Sequence, residues 1–348
     1  MYHNIIEESI KNPDTNYLII VPEQFTLQTQ KDMVSMHPNN GVINVDILSF
    51  MRFAYRIFDE VGGNDFPILE DTGKSMVIRR VVAEKRKELI LFGSGVKKAG
   101  FINELKSLLS EFYQYNIRPD DFEEMMEISA KKPVLKAKLH DIRTIYKGFA
   151  DFMNERYITA EEILLVLSKV IDQSTWLKNS VICLDGFTGF TPCQNEILAK
   201  MMKLAKKVMV TVTIDPREPL IEEKSDYGLF GLSQKTIKKL YDIALDTDTK
   251  IEEPIFVQNK KDGKVPYRFR KSPALAFLEH NLFRYPYDRY EKEQDEISIH
   301  GAKDPESEIA FVVREIKRLI REEGYRYKDI AVVTGDIERY GRLAKYYF

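Results

Sequence analysis

The sequence predicts an α/β fold built on a parallel sheet, and three observations carry that expectation. Short runs of aliphatic and β-branched residues recur without the polar alternation of a half-exposed strand, as strands covered on both faces require. Segments with apolar residues at helical spacing separate these runs, the order expected of parallel strands joined by crossover helices. From Thr72 to Trp176 only helical spacing is present, so a helical body is expected to interrupt the sheet-bearing domain.

The chain opens on an amphipathic helix bearing Ile5, Ile6 and Ile10, with no strand before it. Strands are expected at Tyr17–Val21, Val42–Leu48, Ser180–Leu184, Val208–Ile214, Ile297–His300 and Ile330–Thr334. Within the helical stretch, Phe101, Leu105, Leu108, Leu109 and Phe112 share one helix face, and Leu135, Leu139, Ile142, Tyr146 and Phe149 share another. A polar, Pro-bearing stretch from Tyr285 to Glu296 reads as a boundary. The next helix is specified by Asp304 as N-cap, Pro305 at the first helical position, an apolar face of Ile309, Val312, Ile316, Leu319 and Ile320, and Gly324 as terminator. The expected division is therefore residues 1–72 with 177–290 as a first domain, 73–176 as a helical insertion, and 295–348 as the start of a second α/β domain. An opening helix without its strand, and helical composition up to Phe348, make the chain read as a fragment of something longer; no internal repeat is present.

With 348 residues, 44% hydrophobic and 30% charged, the chain can bury a sizeable core, which excludes fibrous, disordered and disulfide-framework classes. Fifty-two Lys plus Arg against 54 Asp plus Glu give a formal charge of −2, so a nucleic-acid surface would have to be a local patch. Cys183 and Cys193 match neither a CxxC redox pair nor a zinc knuckle, which points to a reducing, cytoplasmic compartment. No apolar run reaches the roughly 18 residues of a membrane span, and Met1-Tyr2-His3-Asn4 does not open a signal peptide, so neither membrane insertion nor export is expected.

Several motif-like signals reduce to structural readings. Gly73-Lys74-Ser75 has the ending of a phosphate-binding loop, but Ile68 stands where the first glycine belongs and no strand precedes it, so a helix start is expected. His3, His37, His140, His280 and His300 show no metal-ligand spacing, and no metal site is expected from this chain. Gly93-Ser94-Gly95 lacks the strand-to-helix context of a nucleophile elbow. Lys260-Lys261-Asp262-Gly263-Lys264, followed by Tyr267, Arg268, Phe269, Arg270 and Lys271, is a basic run with aromatics that suits either nucleic acid or a solvated loop.

The sharpest signal is the apolar run Ile182-Cys183-Leu184 ending on Asp185-Gly186-Phe187-Thr188-Gly189-Phe190-Thr191-Pro192-Cys193-Gln194-Asn195-Glu196. A buried strand ending in Asp is the Walker B arrangement, where the carboxylate holds Mg²⁺ and a following Glu serves the attacking water. This segment resembles motif II of the UvrD-type superfamily-one helicases, with Asp185, Pro192, Gln194 and Glu196 in register. Leu18–Phe25 is similar to motif Ia, Ser49–Ile57 to the Thr-Phe segment after it, Val212–Pro216 to motif III, and Glu306–Val333 to the opening of the second motor domain with motif IV. Within that superfamily the phrases VPEQFTLQT, LDGFTGFTP and YKDIAVVTGD most resemble the AddB (RexB) family, the partner subunits of bacterial AddAB helicase-nucleases.

The resemblance implies a RecA-like sheet of the P-loop NTPase type, interrupted by the helical insertion and followed by the start of a second RecA-like domain. It implies an ATP-dependent helicase and exodeoxyribonuclease that processes double-strand-break ends for homologous recombination, with an AddA-like subunit as partner and double- and single-stranded DNA as substrate. ATP, Mg²⁺ and an iron–sulfur cluster belong to the full-length protein on this reading, with the phosphate loop before Met1 and the nuclease and cluster cysteines after Phe348. By position in the family motifs, Gln24, Phe25, Thr26, Ser49, Phe50 and Arg52 would contact single-stranded DNA. Gly186 replaces the catalytic Glu, Glu218 stands at the Gln of motif III and Gly335 at the Arg of motif IV, so Asp185 and Gly186 read as a degenerate Walker B remnant and no catalytic residue is expected in this chain. The alternatives are an active superfamily-one helicase fragment and a scaffold that does not bind DNA.

Overall fold

A computed structural model describes residues 1–41, 43–63, 67–93, 99–154, 156–215, 217–221, 228–257 and 267–348. They form two compact units, Met1–Ile255 and Phe256–Phe348. In the first, helix α1 (Tyr2–Lys11) leads into strand β1 (Asn16–Ile20), α2 (Thr26–Met36) crosses to β2 (Val45–Leu48), and α3 (Phe50–Val61) follows. The helical stretch supplies α4 (Asp71–Glu84), α5 (Ala99–Gln114), α6 (Phe122–Ile128), α7 (Pro133–Met153), α8 (Ile163–Val170) and the one-turn α9 (Thr175–Lys178). Strand β3 (Ser180–Leu184), α10 (Pro192–Leu204), β4 (Lys207–Val210) and α11 (Gly231–Asp246) complete the unit.

The four strands form one all-parallel sheet in the order β2-β1-β3-β4. Alternate residues of the central strands face opposite layers, which explains why their runs are apolar throughout. Leu18, Ile20, Ile182 and Leu184 pack on Phe53 and Ile57 of α3, Ile163 and Leu167 of α8, and Ile197 and Leu198 of α10. Tyr17, Ile19, Val181 and Cys183 pack on Ile5 and Ile6 of α1 and Met33 of α2. The expected Ser180–Leu184 strand is present over its full length with every residue buried.

Two strands are shorter than expected. Strand β2 starts at Val45, and Val42 lies outside the described residues. Strand β4 stops at Val210, because beyond Thr211, whose N–H still reaches the Leu184 carbonyl at 3.0 Å, the chain leaves the sheet.

Helices α4 to α7 close around a separate core that includes Val77, Ile78, Leu105, Leu109, Ile145 and Phe149. A parallel bridge, Ile68 to Ile158, stands where this body joins the rest, with N–H to carbonyl distances of 2.8 Å and 3.2 Å. Helix α8, although it belongs to the strandless stretch, packs on the sheet. Glu60 of α3 caps α9: burial works against its charge, but hydroxyls of Ser174 and Thr175 and the N–H groups of Trp176 and Thr175 bring its carboxyl down to about 2.

The second unit contains α12 (Pro273–Asn281), α13 (Pro305–Glu322) and α14 (Ile337–Tyr347). The expected start of α13 is in place: Asp304 accepts the Ser307 N–H at 2.7 Å and Pro305 opens the helix. Gly324, at φ +75°, takes the left-handed conformation that ends it. The strands expected at Ile297–His300 and Ile330–Thr334 are absent among the described residues. A strand exists only with a neighbour to complete its ladder, and Ile299 (95% exposed) and Val333 (91%) have no such layer against them.

Candidate functional site

The C-terminal ends of parallel strands are where open α/β sheets place ligands, because loops diverge there. The eight residues singled out by position in motifs all fall at these ends: Gln24, Phe25 and Thr26 after β1, Ser49, Phe50 and Arg52 after β2, and Asp185 and Gly186 after β3. Their individual environments differ sharply.

After β1 the chain makes a 3₁₀ turn over Glu23–Phe25. Gln24 is exposed and Phe25 is 48% exposed, whereas Thr26 is buried and its hydroxyl donates to the Glu23 carbonyl at 3.0 Å. After β2, Ser49 is the N-cap of α3 and accepts the Arg52 N–H at 3.4 Å. Phe50 is buried, with its ring edge-to-face with Phe187 at 5.6 Å and Phe190 at 6.4 Å. Arg52 points outward, its side chain 54% exposed, with Nε 3.5 Å from a Glu23 carboxylate oxygen. Thr26, Ser49 and Phe50 thus fix the local backbone, while Gln24, Phe25 and Arg52 present an amide, an aromatic face and a cation on one edge. The Arg52–Glu23 pair is solvated and weak, so a phosphate can compete for the guanidinium.

Asp185 is half-buried and held from two sides. Its oxygens accept the Tyr2 hydroxyl at 2.6 Å and the Thr211 hydroxyl, while its N–H donates to the Ile20 carbonyl at 3.0 Å. Burial, then the hydrogen bond and charge of Asp185, push the Tyr2 phenol well above its ordinary range, so it stays a donor. Gly186 has φ +78°, and a Cβ there would lie 3.6 Å from Pro22 Cδ and 3.9 Å from Phe25 Cδ2. The residue after Asp185 is therefore held in a conformation that disfavours any residue with a Cβ.

These residues do not fit a magnesium–nucleotide site. Asp185 is engaged by two hydroxyls, and the next residue has no carboxylate. Lys74 of the Gly-Lys-Ser triplet is buried inside α4, bound to both Glu161 carboxylate oxygens at 2.9 Å and 2.7 Å. The helix-start reading of that triplet is what the structure shows.

The Pro-x-Gln-x-Glu signal has a local explanation as well. Thr191 caps α10, its hydroxyl accepting the Gln194 N–H at 3.3 Å while the Gln194 side chain accepts the Thr191 N–H at 2.9 Å, and Pro192 occupies the first helical position. Glu196 accepts the buried Ser168 hydroxyl of α8. Motif reasoning missed Tyr2, Thr211, Glu23, Phe187 and Phe190; only the capping box carried a readable signal. Lys260, Lys261 and Lys264 of the basic run, Ser94 and Gly95 lie outside the described residues, and among those described no helix is long and apolar enough to cross a membrane.

Known proteins resemble this chain over nearly its whole length. It is 52% identical, over 99% of its residues, to a protein of Lachnoclostridium phytofermentans named as a subunit of an ATP-dependent helicase/deoxyribonuclease, and it covers 30% of that protein. The proteins of the same name from Caldanaerobacter subterraneus subsp. tengcongensis and Clostridium tetani are 37% and 33% identical over 95% and 100% of this chain, which covers 28% and 30% of their lengths. The chain thus spans about three-tenths of the relatives it matches. The profile of the family described as ADDB, N-terminal, matches residues 1–279, and this chain belongs to that family.

Proposed function

We propose that this chain is the helicase-like N-terminal region of an AddB-type subunit, a RecA-like fold that holds single-stranded DNA without turning over nucleotide. Its partner would be an AddA-like helicase-nuclease subunit, and the assembly would process double-strand-break ends for homologous recombination. The names of the relatives support a helicase and deoxyribonuclease setting. The observation that carries the reading is a division of labour at one sheet edge. Phe25 and Arg52 are exposed, with Arg52 paired to Glu23 two residues before Phe25, while Asp185 accepts two hydroxyls and Gly186 sits at positive φ.

On this reading the exposed face of Phe25 stacks a base, and Arg52 exchanges Glu23 for a phosphate. Binding of a labelled oligothymidylate by the full-length protein is the test. Phe25→Ala should weaken binding by roughly 1 to 3 kcal/mol, and Arg52→Ala should lower the salt slope by about one. Wild-type affinity and slope in both variants would remove these residues from the DNA path.

A further inference from the structure

Helix α7 carries an apolar stripe that extends past its own core. Ile145, Phe149 and Met153 are buried and Leu139 and Ile142 pack on the same cluster, but Leu135, one turn earlier, is 40% exposed. Next to it Val134 is 63% exposed, and Ile128, where α6 ends, is 80% exposed. The turn between the two helices is tight, closed by the Ala130 N–H to the Glu127 carbonyl at 3.1 Å and the Lys132 N–H to the Ser129 carbonyl at 2.8 Å. Lys132, Pro133, Val134, Leu135 and Lys138 line an open concavity of about 370 Å³.

Two of the five lining residues are lysines, Lys132 and Lys138, and Lys131 and Lys136 adjoin the lining in sequence. Lys131, Lys132, Lys136 and Lys138 are all exposed, and among the described residues none of them pairs with a carboxylate. From Ile128 to His140 the sequence contains no Asp or Glu. Of the acidic residues nearby, Glu123 on the preceding helix is paired with Arg143, Glu124 and Glu127 on the same helix are exposed, and Asp141 of α7 is buried. The N-terminal end of α7 adds its partial positive charge to that of the lysines.

Exposed aliphatic residues flanked by lysines have the anatomy of a protein interface. A nucleic-acid backbone would use the lysines but leave Val134 and Leu135 without a complementary surface, since neither offers a ring on which a base could stack. An amphipathic segment with Asp or Glu flanking aliphatic residues satisfies both parts. We propose that this corner of the helical body docks an acidic amphipathic segment of the companion subunit, an inference that rests on the partner assigned above.

The test uses the full-length protein and its AddA-like companion. Val134→Glu with Leu135→Glu, and separately Lys131, Lys132, Lys136 and Lys138 all changed to Glu, should each weaken heterodimer formation at least about tenfold. Circular dichroism and the DNA affinity of the uncombined full-length protein should be unchanged, because every substituted residue is exposed. Wild-type heterodimer affinity should fall with salt, and the lysine variant should lose that dependence. Unchanged heterodimer affinity in both variants overturns the proposal. So does a loss of DNA affinity with an intact heterodimer, which would assign the corner to nucleic acid. If the wild-type proteins do not associate at all, the partner reading falls and takes the proposal with it. A photo-crosslinker at position 134 that captures a companion segment without acidic residues would overturn the assignment of chemistry.

Discussion

Replacing Asp141 by Ala is expected to destabilise the helical body by roughly 3 kcal/mol, because it strips three backbone donors of one acceptor. Asp141 sits on the inner face of α7 with no solvent exposure, and its carboxylate accepts the N–H groups of Ile90 at 2.7 Å, Leu91 at 2.7 Å and Phe92 at 2.9 Å. Burial raises its pKa, but the three N–H bonds outweigh that and hold the carboxyl below the usual range. A depressed folded-state value contributes stability that is complete above the unfolded value of about 3.9 and is lost as pH falls through the folded one. Acid should therefore loosen the wild-type loop at Ile90–Phe92 only below about pH 4. Asp141→Ala should loosen it at neutral pH, with amide exchange there faster by roughly a hundredfold. Asp141→Asn, which keeps an acceptor without the charge, should fall between. Wild-type exchange in the Ala variant would show that water replaces the carboxylate at little cost.

Lys74→Met should cost about as much, by a different route. The Lys74 ammonium and the Glu161 carboxylate are 2.7 Å apart, with side chains only 6% and 14% exposed, and they tie α4 to the segment after the Ile158 bridge. Removing the amine leaves a largely buried carboxylate without its counter-charge, which costs roughly 3 kcal/mol or more, whereas replacing both partners by apolar residues is often near neutral. Thermal unfolding of the full-length protein should show a large loss in Lys74→Met and recovery of most of it in Lys74→Met with Glu161→Leu. Simple additivity of the two single losses would mean that the residues act separately.

How far the sequence could be read depended on whether one local signal decided the outcome. Ser180–Leu184 was legible because a strand buried on both faces leaves an unbroken apolar run. The same type of run at Ile297–His300 and Ile330–Thr334 forms no ladder among the described residues, since composition does not say whether a neighbour is present. Phe25 and Phe50 are the same residue type in adjacent motifs, yet one is 48% exposed and the other 6%. The difference lies in a 3₁₀ turn after β1 and in the Phe187 and Phe190 rings, neither visible in spacing. Tyr2 and Thr211 stand 183 and 26 positions from Asp185, so only the packing of α1 on the sheet and the β3-β4 pairing bring their hydroxyls to it. Asp141 did carry a readable sign, a charge on the apolar face of a long helix, where a carboxylate must find internal donors.

If this end of the sheet holds DNA without nucleotide, as proposed, single-strand binding by the full-length protein with and without magnesium-ATP, in wild type and Asp185→Asn, will show it. The Asn variant keeps an acceptor toward one of the two hydroxyls, lets the other turn to accept from its amide, and removes the charge a metal would need. The predicted result is one affinity and one salt slope under all four conditions. An affinity that shifts with magnesium-ATP in the wild type and not in Asp185→Asn would contradict the claim and restore a working nucleotide site to this chain.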